Sequence, residues 1–167
     1  MRFEYTWTEA RFIESALLDH RYGPYGRRHR LFTSVILMAL MTFIALQIGQ
    51  RGLMWTDALL LFGIGAWLLL RKHLLIRLFK RSYRRAAQDQ MQLTFELTDE
   101  GIEAGLKDQP SQQVEWRYIH QVIRVKKGFL VYPGPYWLPN ESLQGEVKVA
   151  EVGALFQRKV DDYKDLS

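Results

Sequence analysis

The sequence predicts an α+β membrane protein, in which a two-helix transmembrane hairpin carries a cytosolic antiparallel β domain closed by a C-terminal helix. Two long apolar runs lie between residues 31 and 70, where Arg51 and Asp57 are the only charged residues. Alternation of apolar and polar residues begins after residue 90, which is the pattern of half-buried strands. The chain of 167 residues has no cysteine, so disulfides, zinc–thiolate sites and a cysteine nucleophile are excluded.

Residues 1–30 predict a cytosolic strand followed by a short helix. Phe3, Tyr5 and Trp7 alternate with polar residues, as in a strand with one buried face. A helix is expected over residues 10–18, with Thr8 as its N-cap. Because both ends of the chain are predicted to be cytoplasmic, we expect this strand to join the sheet formed by residues 92–139. Trp7 is expected to be a core anchor.

Residues 31–70 predict the transmembrane hairpin. Residues 31–49 and 52–70 are each nineteen residues long, and each would span roughly 28 Å as a helix, close to the ~30 Å of bilayer hydrocarbon. Two buried core helices of a soluble protein are the alternative, which a domain this small disfavours because it cannot cover both helices on every face. Only Gln50 and Arg51 separate the runs, which predicts a tight antiparallel turn. Small residues are expected to let the helices pack closely: Ala45, Gly49, Gly63 and Gly65.

Arg51 and Asp57 are the candidate intramembrane polar residues. Asp57 lies about one turn inside the second helix, where a carboxylate favours the helix N-terminus or pairs with Arg51. A proton relay is the alternative role for an acid in a membrane segment. The shallow position of Asp57 favours the local, structural role.

The distribution of lysine and arginine predicts a multi-pass protein of the bacterial inner membrane with both termini cytoplasmic. The net charge is +2 over residues 1–30, +6 over residues 71–90 and −3 over residues 91–167. The basic excess is therefore local to the membrane-proximal segment, so no nucleic-acid partner is expected. Residues 1–20 contain no apolar core segment, and we expect the first apolar run to act as an uncleaved insertion signal.

Residues 71–90 predict a basic juxtamembrane helix that continues the second membrane helix, because no proline or glycine interrupts residues 71–86. Four apolar residues are expected to form a stripe that packs on the cytosolic domain: Leu74, Leu75, Leu78 and Phe79. The basic residues are candidate ligands of anionic lipid headgroups in the cytoplasmic leaflet, or determinants of topology only. They are Arg71, Lys72, Arg77, Lys80, Arg81, Arg84 and Arg85.

Residues 91–167 predict a β-rich domain with a closing helix near residues 148–160. Phe95 lies in the first alternating segment and is expected to be a core anchor. Turns are expected at residues 98–101 and 108–111. Three aspartates, Asp161, Asp162 and Asp165, are interpreted as a solvated acidic tail. Strands are expected at residues 92–98, 102–106, 113–116, 121–125, 129–132 and 136–138.

The order of these parts and three short stretches resemble the bacterial YcxB-like family. The stretches are residues 97–102 (LTDEGI), residues 114–116 (VEW) followed by Ile119 and Val122, and the strand end Tyr136–Pro139. The resemblance extends over nearly the whole chain. It implies a membrane-attached domain with a pleckstrin-homology-like (PH-like) barrel or half-barrel, and it implies no catalytic residues. Trp116 is then expected to be a core anchor.

The chain shows no motif of an enzyme, a metal or a cofactor. It has neither a Gly-rich phosphate loop nor a Gly-x-Ser-x-Gly elbow, and its histidines lack ligand spacing: His20, His29, His73 and His120. His29 and His73 flank the predicted membrane segment, as interfacial residues or as pH sensors.

The leading hypothesis is a non-enzymatic inner-membrane protein whose PH-like domain binds a partner protein or anionic lipid headgroups. The first alternative is an immunity protein that neutralises a membrane-acting toxin. The second is a small accessory subunit of a transporter or channel, which requires a homo-oligomer or a larger partner. A toxin gene or a transport operon beside the gene would separate these alternatives.

Overall fold

The computed structural model describes residues 1–86, 90–106 and 110–167, without the side chains of Tyr25 and Arg27. The predicted turn at residues 108–111 therefore lies partly outside the described residues. The helices are α1 (Glu9–Tyr22), α2 (Pro24–Arg51), α3 (Trp55–Ala86) and α4 (Val149–Lys159). The strands are β1 (Arg2–Thr6), β2 (Gln92–Leu97), β3 (Gly101–Leu106), β4 (Gln112–Glu115), β5 (Gln121–Val125), β6 (Gly128–Tyr132), β7 (Tyr136–Pro139) and β8 (Tyr163–Asp165).

Helices α2 and α3 form an apolar hairpin, and both are long and apolar enough to cross a membrane. The candidate spans are Arg28–Arg51 and Trp55–Ala86, with mean hydropathies of 2.2 and 1.7. Only 6% and 0% of their most apolar windows are buried inside the protein, whereas a core helix of a soluble protein is mostly buried. The apolar residues of the hairpin therefore face outward. The two predicted long apolar helices are confirmed.

The turn of the hairpin begins two residues later, and ends three residues later, than the sequence suggested. Helix α2 continues through Gln50 and ends at Arg51, and Gly52 follows with a φ of +80° and donates its N–H to the carbonyl of Ile48. A left-handed residue after the last turn is a common helix stop, and glycine adopts it without strain. Residues 52–54 therefore make the connection, rather than Gln50 and Arg51.

The glycines of the hairpin do not bring the two helices into close contact. A methyl group built at Gly49, Gly63 or Gly65 would meet no heavy atom within 4 Å. Close packing at glycine requires that the partner helix occupy the space beside the missing side chain, and that space is open here. The expectation that these glycines let the helices pack closely is wrong.

The β domain consists of two four-stranded sheets. In sheet A the order is β1-β2-β3-β4 and every pair is antiparallel, with Phe3 opposite Phe95. In sheet B the order is β7-β6-β5-β8. The first strand of the chain thus pairs with a strand that follows the whole hairpin. The prediction that the N-terminal strand pairs with strands that follow the hairpin is confirmed, as is the α+β class, but residues 92–139 contribute to two sheets rather than one.

The core lies between the sheets and against α4. Fourteen buried residues form it, among them Phe3, Val122, Phe129 and Phe156, each with 0% exposed surface. A second cluster covers the other face of sheet B, where Leu18 and Tyr22 of α1 pack against five buried residues: Ile123, Val125, Leu130, Tyr132 and Trp137. Strand β6 is therefore buried on both faces, which explains its uninterrupted apolar sequence.

The C-terminal residues form a strand rather than a solvated acidic tail. Strand β8 pairs in parallel with β5, which makes sheet B mixed. Asp165 forms an ion pair with Arg124 at 3.1 Å, and Asp162 accepts hydrogen bonds from Lys164 and Gln121. The bond from Lys164 holds the pKa of Asp162 below its usual range, and bonds from Ser167 do the same for Asp165. The interpretation as a tail is wrong because residues 163–165 form a strand and both Asp162 and Asp165 have partners, whereas Asp161 and Asp165 are exposed to solvent as predicted.

Candidate functional site

Helix α1 fastens the β domain to the apolar hairpin. Thr8 caps it by accepting a hydrogen bond from the N–H of Arg11 at 3.4 Å, as the sequence predicted. On the side of sheet B, the hydroxyl of Tyr132 donates to Asp19 at 2.6 Å, and Lys127 donates to Glu14 at 2.6 Å. Burial and the bond to Asp19 raise the pKa of Tyr132 above its ordinary value. The phenol therefore stays protonated and remains a donor.

On its other side, α1 contacts the extension of α3 through a row of aromatic rings. Ring centroids are 6.1 Å apart from Tyr5 to Trp7, 6.0 Å from Trp7 to Phe12 and 5.4 Å from Phe12 to Tyr83. The hydroxyl of Tyr83 donates to the carbonyl of Trp7 at 3.3 Å. Trp7, a predicted core anchor, is half-buried at this joint and packs at the edge of the core.

The buried side of the α3 extension differs from the predicted apolar stripe. Residues 71–86 do continue α3 without a break. Tyr83 is buried and Leu75, Ile76 and Phe79 are half-buried, whereas Leu74 and Leu78 are 48% and 58% exposed. The prediction for Leu74 and Leu78 is wrong, because α1 covers an arc of the helix that is displaced toward Ile76 and Tyr83.

The exposed side of this extension is the candidate functional site, which we call the basic face. An open depression of about 520 Å³ is lined there by Leu74, Arg77, Leu78, Lys80, Arg81 and Arg84. All seven sequence-predicted basic residues of the segment are exposed. Glu9 of α1 forms ion pairs with Lys80 at 3.2 Å and with Arg84 at 3.5 Å.

The charges of the basic face are only partly neutralised. Within the part of the chain that the structure describes, no acidic side chain forms an ion pair with Arg77 or Arg81. Arg71 lies over the ring of Trp67, with its guanidinium carbon 6.0 Å from the ring centre. Guanidinium groups interleaved with leucines match phosphate and acyl groups at a bilayer surface.

At the tip of the hairpin, Asp57 makes both of the local contacts that the sequence offered. One carboxylate oxygen accepts from Arg51 at 2.9 Å, and the other accepts from the backbone N–H of Met54 at 3.0 Å. The second bond caps the N-terminus of α3. Asp57 is 2% exposed. Its carboxylate thus stabilises the turn and the start of the helix.

The other predicted core anchors lie in the β domain. Phe95 is buried, and its ring stacks on Tyr5 at 6.1 Å. Trp116 is half-buried and begins a short 3₁₀ turn after β4. Its indole N–H donates to the carbonyls of Thr98 and Asp99, and its ring lies 6.0 Å from that of Phe156. Trp116 therefore links the turn between β2 and β3 to helix α4.

Two of the four histidines meet at the base of the hairpin. The rings of His20 and His29 are 6.0 Å apart, a pairing across α1 and α2 that sequence spacing does not reveal. Burial, followed by repulsion from His29 and Arg30, lowers the pKa of His20 below its usual value. His73 is exposed. Among the described residues, no three His, Asp or Glu side chains are grouped so as to hold a metal ion.

Comparisons with known proteins identified no relative of the chain. No protein-family model matches the chain, and neither a curated protein nor a solved structure matches it.

Proposed function

We propose that the chain is a non-enzymatic protein of the bacterial inner membrane, with both termini cytoplasmic, that binds anionic lipid headgroups. The basic face carries this proposal, because Arg77 and Arg81 are exposed, lack acidic partners among the described residues, and lie on a helix continuous with a candidate membrane span. The two-sheet domain with α4 supports a PH-like assignment. Membership of the YcxB-like family is part of the same proposal and rests on the sequence resemblance.

The exposed apolar surface of the hairpin supports membrane insertion. Trp55, Phe62 and Leu69 are 76%, 77% and 79% exposed, and similar residues surround them on both helices. Soluble monomers rarely expose apolar patches larger than a few hundred Å². A bilayer removes this surface from water. It also tolerates the helices, because their backbone N–H and C=O groups are hydrogen-bonded within each helix.

The spacing of residues along α3 supports a position of the basic face within reach of the headgroup layer. At 1.5 Å per residue, Arg77 lies about 9 Å and Arg81 about 15 Å beyond Arg71 along the helix axis. A surface potential decays over roughly 8–10 Å at physiological salt, so Arg77 lies within the field of an anionic leaflet and Arg81 experiences a weaker part of it. Ion pairing with Glu9 reduces the contribution of Lys80 and Arg84 to lipid binding.

Replacement of Arg77, Arg81 and Arg84 with Gln is expected to weaken binding to anionic vesicles about a hundredfold. Each basic residue near an anionic surface contributes about 1 kcal/mol, and Arg84 contributes less because Glu9 already pairs with it. The measurement is co-sedimentation of the full chain, held in amphipol, with vesicles of phosphatidylglycerol and phosphatidylcholine. Titration of the vesicle concentration gives the apparent affinity.

A matched control removes three exposed charges from the β domain: Lys126→Gln, Lys148→Gln and Arg158→Gln. This variant has the same net charge as the first, and we expect its binding to change less than threefold. Equal losses of vesicle binding in the two variants would show that the net charge of the chain, rather than the basic face, causes the binding. Unchanged binding in the first variant would refute lipid binding by the basic face and leave its arginines as topology determinants.

A cysteine in place of Gln50 is expected to react only with reagents added from outside the cell. Gln50 is exposed in the last turn of α2, and the chain has no native cysteine to compete for the label. A cysteine in place of Glu146, in the β domain, should react only after permeabilisation, and a reporter that is active only in the cytoplasm should be active when fused after Ser167. Labelling of the Gln50 position only after permeabilisation would contradict the proposed orientation.

A further inference from the structure

A second open groove, of about 840 Å³, lies where the edge of sheet B meets the first turns of α2. One wall is a single face of α2, since its lining residues recur at helical spacing. The opposite wall is the end of β8. The residues that matter here are Arg28, Leu31, Phe32 and Val35 on the first wall, and Lys164 and Leu166 on the second.

The end of the groove toward the β domain is positively charged. Arg28 and Lys164 lie there with Arg21 and Arg30, and none of the described residues that line the groove is acidic. Lys164 forms an ion pair with Asp162, with 2.9 Å between its Nζ and the carboxylate oxygen. Arg28 is exposed and forms no ion pair with any described acidic residue. The groove therefore offers uncompensated guanidinium groups to an anion.

The other end of the groove is apolar and continues onto the hairpin. Leu31, Phe32 and Val35 are 66%, 67% and 56% exposed. From Arg28 to Val35 the helix rises about 10 Å. Over this distance the lining changes from charged to hydrocarbon, as a phospholipid does from its phosphate to its acyl chains. A free anion would contact only the charged end of the groove, whereas a phospholipid contacts both ends.

We propose that this groove binds one molecule of an anionic phospholipid. Its phosphate lies between Arg28 and Lys164, and one acyl chain follows Leu31, Phe32 and Val35. The inference rests on the proposed function only for the membrane orientation of α2, and it does not require lipid binding by the basic face. The bound lipid would connect the edge of sheet B to the hairpin, and so fix the β domain at the bilayer surface.

The test is native mass spectrometry of the full chain in a neutral detergent that contains equal trace amounts of phosphatidylglycerol and phosphatidylcholine. We expect one phosphatidylglycerol to be retained per chain. The double change Arg28→Gln and Lys164→Gln should weaken retention about thirtyfold, since two basic contacts contribute about 1 kcal/mol each. The matched control Lys126→Gln with Arg158→Gln removes two exposed basic residues outside the groove and should retain the lipid. Circular dichroism checks that each variant is folded.

Several outcomes would overturn the proposal. Equal retention of the two lipids would remove the role of charge, and displacement by millimolar inorganic phosphate would show an anion site without lipid specificity. Retention by a folded double variant would place the lipid elsewhere. A dimer that the double change converts to a monomer would make the groove an interface between two copies. The basic-face variant separates the two proposals, because it should lose vesicle binding while it keeps the single retained lipid.

Discussion

Residues 91–167 alone are expected to aggregate or remain partly unfolded, whereas the same residues linked to residues 1–22 should fold. The fragment lacks β1, so the edge of β2 is left unpaired. It also lacks α1, so the second apolar cluster on sheet B, which includes Leu130 and Trp137, is exposed to water. Neither defect has a remedy within the fragment.

The comparison is made by size-exclusion chromatography and by the chemical-shift dispersion of the NMR spectrum. A Gly/Ser linker of about 15 residues spans roughly 21 Å, about the length of α1, and replaces the hairpin between Tyr22 and Met91. The same linked chain with a scrambled sequence for residues 1–22 serves as the control. A cooperative, well-dispersed fold of residues 91–167 alone would contradict the assembly of the domain from both ends of the chain.

Phe3→Ala is expected to lower the free energy of unfolding of the linked domain by about 3–4 kcal/mol. Phe3 has no exposed surface, lies opposite Phe95 in sheet A and belongs to the main core. Truncation of a buried phenylalanine removes its transfer free energy and leaves a cavity, which together cost about 3–5 kcal/mol. For a domain of this size that is a large share of the total stability.

Urea denaturation followed by tryptophan fluorescence measures this difference. Glu4→Ala is the matched control on the same strand, because Glu4 faces outward and its ion pair with Arg2, at 3.3 Å, is exposed. Such pairs contribute about 0–1 kcal/mol, so its midpoint should hardly change. A Phe3→Ala midpoint equal to that of Glu4→Ala would show that β1 is dispensable for the core.

The fold was predictable where the signal is local. Hydropathy alone locates α2 and α3. Alternation locates β1 and the other strands with one buried face, and a short apolar run locates β6, which is buried on both faces. Strand β8 was missed because Tyr163, Lys164 and Asp165 carry no apolar alternation. Its pairing with β5 is parallel and is set by Val122 and Arg124, which lie far away in the sequence.

The candidate site was predictable only in part, for the same physical reason. The count of basic residues after α3 identifies the segment, but the face it presents depends on where α1 lies, and the periodicity of α3 alone placed Leu74 and Leu78 on the wrong side. The ion pairs of Glu9 with Lys80 and Arg84 join residues that the hairpin separates in sequence. No local pattern connects Arg28 to Lys164, so the second groove is visible only in three dimensions.

The pairing of β1 with β2 has a consequence for biosynthesis. The ribosome makes β1 first, and its partner emerges only after the whole hairpin has been synthesised. An unassisted chain would have to close that long loop against its conformational entropy. In the proposed topology, insertion of α2 and α3 into the membrane as a hairpin would perform the closure, since it would return the chain to the side on which β1 lies. A chain whose hairpin fails to insert would keep an unpaired strand and an uncovered sheet, features that expose it to aggregation and proteolysis. In that topology, completion of the β domain would depend on insertion of the hairpin.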